Sequence, residues 1–80
     1  MNRDYFIEKL CSNKFNCDDD ELMTIWTYTN DDCDKMIEIV IMNDSEVYVR
    51  YEYADRFDRN VERFVTTYFD ALDFIECEVD

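Results

Sequence analysis

Eighty residues suffice for one small domain, which buries only about 60–65% of its unfolded surface. Twenty-one Asp and Glu against eight Lys and Arg give a net charge of −13 with no histidine, which opposes direct binding to DNA, RNA or anionic lipid and favours a basic protein partner. With 48% hydrophobic and 16% aromatic residues, the chain has the material for a core and is not an acidic disordered tail.

The first segment, NRDYFIEKLCSNK, predicts a helix of about three turns: Phe6 and Leu10 fall at i, i+4 with Ile7 alongside, and the opposite side is charged. NCDDDE then breaks the pattern. Three strands are predicted next, at Leu22–Tyr28, Lys35–Met42 and Val47–Tyr53. The last two alternate, with Ile37, Ile39 and Ile41 on one face and Val47, Val49, Tyr51 and Tyr53 on one face.

A three-residue loop of Asn43, Asp44 and Ser45 sets Ile41 opposite Val47, Ile39 opposite Val49 and Ile37 opposite Tyr51, with Glu38 opposite Arg50 on the other side. Loops of two or four residues would put isoleucines and valines on different faces. Extended to the first strand, the same reasoning groups Met23, Ile25 and Thr27 with the isoleucines. Trp26, Tyr28, Met36, Val40 and Tyr48 then form an unusually apolar outer face, suited to a covering element, a second copy or a contact surface.

The C-terminal segment predicts a long helix: Val61, Phe64, Val65, Tyr68, Leu72 and Ile75 make a helical stripe, with Asp58 or Asp55 as N-cap. The expected fold is one α+β domain over residues 1–80, α-β-β-β-α, with a three-stranded antiparallel meander packed against two helices. The sequence has no glycine and no proline, so Asn or Asp is expected at any left-handed turn position, and a glycine-dependent phosphate loop is excluded.

Catalytic chemistry has little to work with. There is no histidine to act as general base, the two serines Ser12 and Ser45 have no evident activating base, and Cys11, Cys17 and Cys33 lie among acids and not beside the cations that activate a thiol. Acid pairs such as Asp19 and Glu21 arise by chance in so acidic a chain, and eighty residues leave little room for a cleft. An EF-hand loop begun at Asn30 has Lys35 where glycine belongs and Ile41 where glutamate belongs; one begun at Asp18 has Leu22 at a ligand position. The four cysteines form no zinc pattern and are expected as reduced thiols, and the longest apolar run, Ile39–Met42, is too short to span a bilayer. No enzyme activity, metal or cofactor is expected.

The acids cluster as DDDE (Asp18, Asp19, Asp20, Glu21) and DDCD (Asp31, Asp32, Asp34), with Asn43, Asp44 and Glu46 in the next turn. Each cluster alone reads as a cap or a solvated loop. Together they flank the strands, DDCD at one end of the meander and the other two groups at the opposite end. An eight-residue strand spans roughly 26 Å, the length of several phosphates of a duplex strand at ~3.4 Å each. Such an array suits a nucleic-acid mimic, with Trp26 and Tyr48 as apolar anchors beside the charges.

DKMIEIVIMNDSEVYVRYE followed by RNVERFVTTYF resembles the small acidic phage anti-CRISPR proteins, in particular those that block a type II effector nuclease where it reads the protospacer-adjacent motif. The resemblance covers about half of the chain. It implies that Asn43, Asp44 and Glu46 contact effector arginines and backbone. The family's turn glycine and its separate acidic last helix have no counterpart in the sequence as read.

The expected function is therefore a phage-encoded inhibitor acting in the cytoplasm of an infected bacterial host. It would bind a CRISPR effector nuclease or complex stoichiometrically and exclude DNA. The alternative is an interaction module, a homodimer or an inhibitor of a restriction enzyme or host transcription machinery, that uses the outer Trp/Tyr face.

Overall fold

The computed structural model describes residues 1–19 and 23–79. It contains α1 (Arg3–Ser12), β1 (Asn16–Asp19), β2 (Thr24–Thr29), β3 (Lys35–Ile41), β4 (Glu46–Ala54), β5 (Arg59–Thr67) and α2 (Tyr68–Glu78). The strands form one antiparallel meander in the order β1-β2-β3-β4-β5. The α+β class stands, with five strands in place of three.

Helix α1 begins where Asn2 Oδ1 accepts the Tyr5 backbone N–H at 2.8 Å, and Asp4 lies in its first turn. Phe6 and Leu10 are fully buried. Its end is a Schellman turn: the Phe15 N–H donates to the Leu10 carbonyl at 3.0 Å and the Lys14 N–H to that of Cys11 at 3.2 Å. The left-handed residue in this turn is Lys14, at φ 68°, and the only other positive φ among the described residues is Cys33 at 58°. Neither is the Asn or Asp expected. The turn is placed by Phe15, which must come back over Leu10 in the core, and that requirement outweighs a local cost of about 1–2 kcal/mol at Lys14.

The β3–β4 hairpin has the expected register: Ile41 faces Val47, Ile39 faces Val49, Ile37 faces Tyr51 and Glu38 faces Arg50. The β2 faces are reversed from expectation. Asn30 donates to the Lys35 carbonyl at 3.2 Å, which leaves a four-residue loop, Asp31–Asp34, whereas the Asn43–Ser45 loop has three. An even loop pairs odd positions with even ones. Trp26 consequently stands beside Ile39 and Tyr28 beside Ile37 on the core side, while Ile25 and Thr27 lie beside Val40 and Glu38 outside.

The long C-terminal helix is also corrected. Its first half is β5, which pairs with β4 from Glu46↔Thr67 to Ala54↔Arg59. Val61, Phe64, Val65, Thr66 and Thr67 are strand formers, and pairing them satisfies an otherwise open edge of β4. Phe64 and Thr66 fall beside Val49 and Val47 on the core side. Asp55 and Asp58, the expected caps, close the β4–β5 hairpin through an Asp55 N–H to Asp58 carbonyl bond of 2.6 Å. The true N-cap is Thr67, whose Oγ1 accepts the Asp70 N–H at 3.2 Å. NCDDDE, read as a break, contributes the short edge strand β1.

Both helices contribute to a single core on one face of the sheet. Phe6, Leu10, Tyr68, Ala71, Leu72 and Ile75 pack with Ile37, Ile39, Val47, Val49 and Tyr51. Phe6 stacks on Tyr68 at 4.9 Å, and Phe74 meets Tyr51 and Phe64 edge-on at 5.2 and 5.5 Å. Two core phenols find acceptors: Tyr51 donates to Glu78 Oε2 at 2.9 Å and Tyr68 donates to the Asn43 carbonyl. Burial, then the Glu78 carboxylate, pushes the Tyr51 phenol above its ordinary value. Burial does the same to Tyr68.

Candidate functional site

Two asparagines build the two acidic tips. At one end of the sheet, Asn30 Oδ1 accepts the backbone N–H groups of Asp34 and Lys35, both at 3.0 Å. Its amide also donates to the Asp34 carboxylate, and the Asp34 carbonyl accepts Ala54 N–H at 2.8 Å. Asp34 is thus bound into the loop and half-buried, whereas Asp31 and Asp32 stand exposed beside it.

At the other end, Asn43 Oδ1 accepts the N–H groups of Ser45 at 2.9 Å and Glu46 at 2.8 Å, and Asn43 Nδ2 donates to Glu46 Oε1 at 3.2 Å. The Asn43 amide is committed to the turn, and the Glu46 carboxylate is oriented by it. Asp44 projects from the loop. Because Tyr68 bonds the Asn43 carbonyl and the Tyr68 N–H bonds the Ser45 carbonyl at 3.3 Å, the N-terminus of α2 anchors this tip.

Asp18 and Asp19 lie exposed on β1, where charge on an edge strand also discourages sheet extension. Asp19 Oδ1 accepts the Thr24 hydroxyl at 3.0 Å. Asp20 and Glu21 fall outside the described residues. The proposed aromatic anchors are separated: Tyr48 is on the outer face, and Trp26 is half-buried on the core side. Trp26, Ile7, Met23 and Ile41 line a groove of about 380 Å³ beside α1.

A further acidic strip lies on α2. Asp70, Asp73 and Glu76 are exposed, spaced by three residues, opposite buried Ala71, Leu72 and Ile75. The signal was present as a helical acid spacing, hidden by reading β5 and α2 as one helix. No basic residue lies in the last turn of α2, so its C-terminal acids oppose the helix dipole.

Ion pairing divides the charges sharply. Among the described residues, the pairs are Lys35–Glu78 at 3.7 Å, Arg50–Glu38 at 3.2 Å, Arg50–Glu52 at 3.4 Å and Arg59–Glu52 at 2.6 Å. The hydrogen bond from Arg59 holds the Glu52 carboxyl below the usual range. None of these pairs involves Asp18, Asp19, Asp31, Asp32, Asp44, Glu46 or the α2 strip. Three arginines, Arg50, Arg59 and Arg63, share the outer sheet face.

All four cysteines are free and exposed. Among the described residues, no three His, Cys, Asp or Glu side chains converge as a metal site, and no helix is long and apolar enough to cross a membrane. No protein-family model matches the chain, nor does any curated protein or solved structure.

Proposed function

We propose that this protein is a stoichiometric inhibitor that occupies the phosphate-binding groove of a basic nucleic-acid-handling protein. A CRISPR effector nuclease is the leading target and the cytoplasm of a phage-infected bacterium the setting. The observation that carries this reading is the set of exposed carboxylates outside every ion pair, mounted on two braced tips, an edge strand and a helix. Separate carboxylates on rigid elements can meet several phosphate-binding Lys and Arg at once. The molecule measures 38 × 28 × 21 Å, comparable with about eleven phosphates of one strand along its long axis at ~3.4 Å each.

The reading is of a binding protein, not an enzyme. Each exposed ion pair contributes about 0–1 kcal/mol, so affinity arises from many pairs acting together. Steering by the summed field makes association fast at low salt and slower as salt screens it.

The test is capture of the target from a bacterial lysate, followed by competition with DNA. The expected result is mutually exclusive binding of inhibitor and DNA, weakened when Asp31, Asp32, Asp44, Asp70 and Asp73 are changed together to Asn. Simultaneous binding of DNA and this protein to the captured target, or full inhibition by the neutralised variant, overturns the proposal.

A further inference from the structure

Both helices pack against one face of the sheet, and among the described residues nothing covers the other. Three rows of outward side chains cross that bare face. One is apolar: Ile25, Val40, Tyr48 and Val65 are lateral neighbours on β2 to β5. The next is Thr27, Glu38, Arg50 and Arg63, and the third contains Met36, Glu52 and Val61. Val61 and Val65 are 37% and 50% exposed. In the middle row Arg50 directly opposes Arg63, a like-charge pair that costs stability on an isolated sheet. The row thus lacks a carboxylate beside Arg63.

We infer that a second copy of this chain covers this face, related by a two-fold axis that runs parallel to the strands between β3 and β4. Such an axis lays β3 on β4 of the other copy and β2 on β5. Each Glu38 then meets the other copy's Arg50, each Val40 its Tyr48 and each Ile25 its Val65. Arg63 falls over the other copy's Thr27, whose lateral neighbour is Glu38, and so comes beside a carboxylate that it shares with Arg50. The same patch serves both copies, as an isologous interface requires, and stacked sheets of this kind interdigitate about 10 Å apart.

The net charge of −13 does not forbid this pairing. The outer face sets Arg50, Arg59 and Arg63 against Glu38 and Glu52, with Asp18 at its β1 edge beside Ile25, while Asp70, Asp73 and Glu76 of α2 lie on the far side of the molecule. The thinnest extent is 21 Å, so the two α2 strips of a dimer are several Debye lengths of about 8 Å apart. Four overlapping strands at ~4.8 Å spacing and roughly 23 Å length give a plane of roughly 450 Å² per copy, about 900 Å² in all before side-chain relief, which is the size class of weak, reversible contacts. The expected dimer is accordingly of micromolar strength.

This inference is independent of the acidic array and its target, and salt separates the two. Salt screens both the net repulsion and the Glu38–Arg50 contacts of the dimer and so changes it little, whereas it weakens capture of a basic partner. The experiment is sedimentation equilibrium of the purified chain from about 1 to 500 μM, a span set by the micromolar scale expected. Glu38→Arg, Arg50→Glu and Val65→Lys are compared with wild type, with circular dichroism confirming that each is folded.

Wild type should reach twice the 9.8 kDa chain mass, and each variant should dissociate at least tenfold more readily. Glu38→Arg mixed with Arg50→Glu should restore a dimer, because one copy then presents two arginines to two glutamates of the other. The exposed Val65→Lys keeps the test decisive if the buried-side neighbours of the charge variants unfold them. A wild-type chain that stays monomeric throughout, a dimer unaffected by Val65→Lys, or folded charge variants that remain monomeric when mixed overturns the inference.

Discussion

The two faces of the sheet differ in how they use the same residue types. On the covered face, Ile37, Ile39, Val47 and Val49 have no exposed surface and meet two helices. On the bare face, Ile25, Val40 and Val65 share space with Glu38, Arg50 and Arg63. One face is sealed mainly by apolar contact, with Tyr51 and Tyr68 hydrogen-bonded within it. The other intersperses apolar side chains with charges, Arg50 and Arg59 paired to Glu38 and Glu52 and Arg63 beside Arg50. Among the described residues, carboxylates without ion pairs stand on the tips, the β1 edge and α2, and also on α1 (Asp4, Glu8), in the β4–β5 turn (Asp55, Asp58) and on β5 (Glu62). The fold therefore places its sealed core and most of its unpaired carboxylates on different surfaces.

The largest effect that sharpens this comparison is Ile39→Ala, expected to cost about 2–5 kcal/mol in urea denaturation because a sealed site cannot collapse. Val65→Thr on the bare face should cost under about 0.5 kcal/mol at dilute concentration. Equal costs would show that the faces are not differently packed.

Asn43→Ala removes the acceptor for two turn N–H groups and should cost about 1–3 kcal/mol. Asp44→Asn, one residue away and exposed, should leave stability within about 0.5 kcal/mol. The pair of variants separates the brace from the charge it displays.

Lys14→Gly should raise stability by about 0.5–1 kcal/mol, read as a higher melting temperature, since glycine removes the left-handed strain while loosening the unfolded chain. This helix end is on the covered side, and a loss of stability would show that Lys14 makes contacts that outweigh its backbone cost.

Titration adds a smaller effect with opposite signs at the two extremes. Tyr51 and Tyr68 have raised folded-state pKa values, so their contribution is complete below the ordinary phenol value of about 10 and is lost as pH rises above it. Glu52, on the bare face, has a lowered value, so its contribution is present above the ordinary carboxylate range and is lost as pH falls below it. Melting temperatures across pH should therefore fall at both ends. Tyr51→Phe should flatten the alkaline limb, and Glu52→Gln the acidic one. The smallest expected effect is Asp31→Asn with Asp32→Asn, within about 0.5 kcal/mol and in the stabilising direction, because neutralisation relieves repulsion at that tip.

The β3–β4 hairpin was legible residue by residue because alternation in both strands and the short loop between them admit a single register. Helix α1 was legible for a similar reason, with Phe6 and Leu10 one helical turn apart. The acidic tips followed from the hairpin. Trp26 was misplaced because its face depends on whether four or three residues lie between β2 and β3, which the Asn30 side chain decides by where it closes the loop. The α2 strip of Asp70, Asp73 and Glu76 was missed because Val61, Phe64 and Val65 satisfy a helical period as well as a strand's outward and inward alternation.

Composition and local periodicity alone determined that this chain is a small, strongly acidic α+β domain with a central antiparallel hairpin and charged turns. Only the tertiary structure decided that residues 59–67 become a strand, that Trp26 turns to the core side, and that Arg50, Arg59 and Arg63 share the bare face. Those outcomes depend on backbone groups of β4 that need hydrogen-bond partners and on which face two helices can seal, and neither quantity is carried by any one segment of the chain.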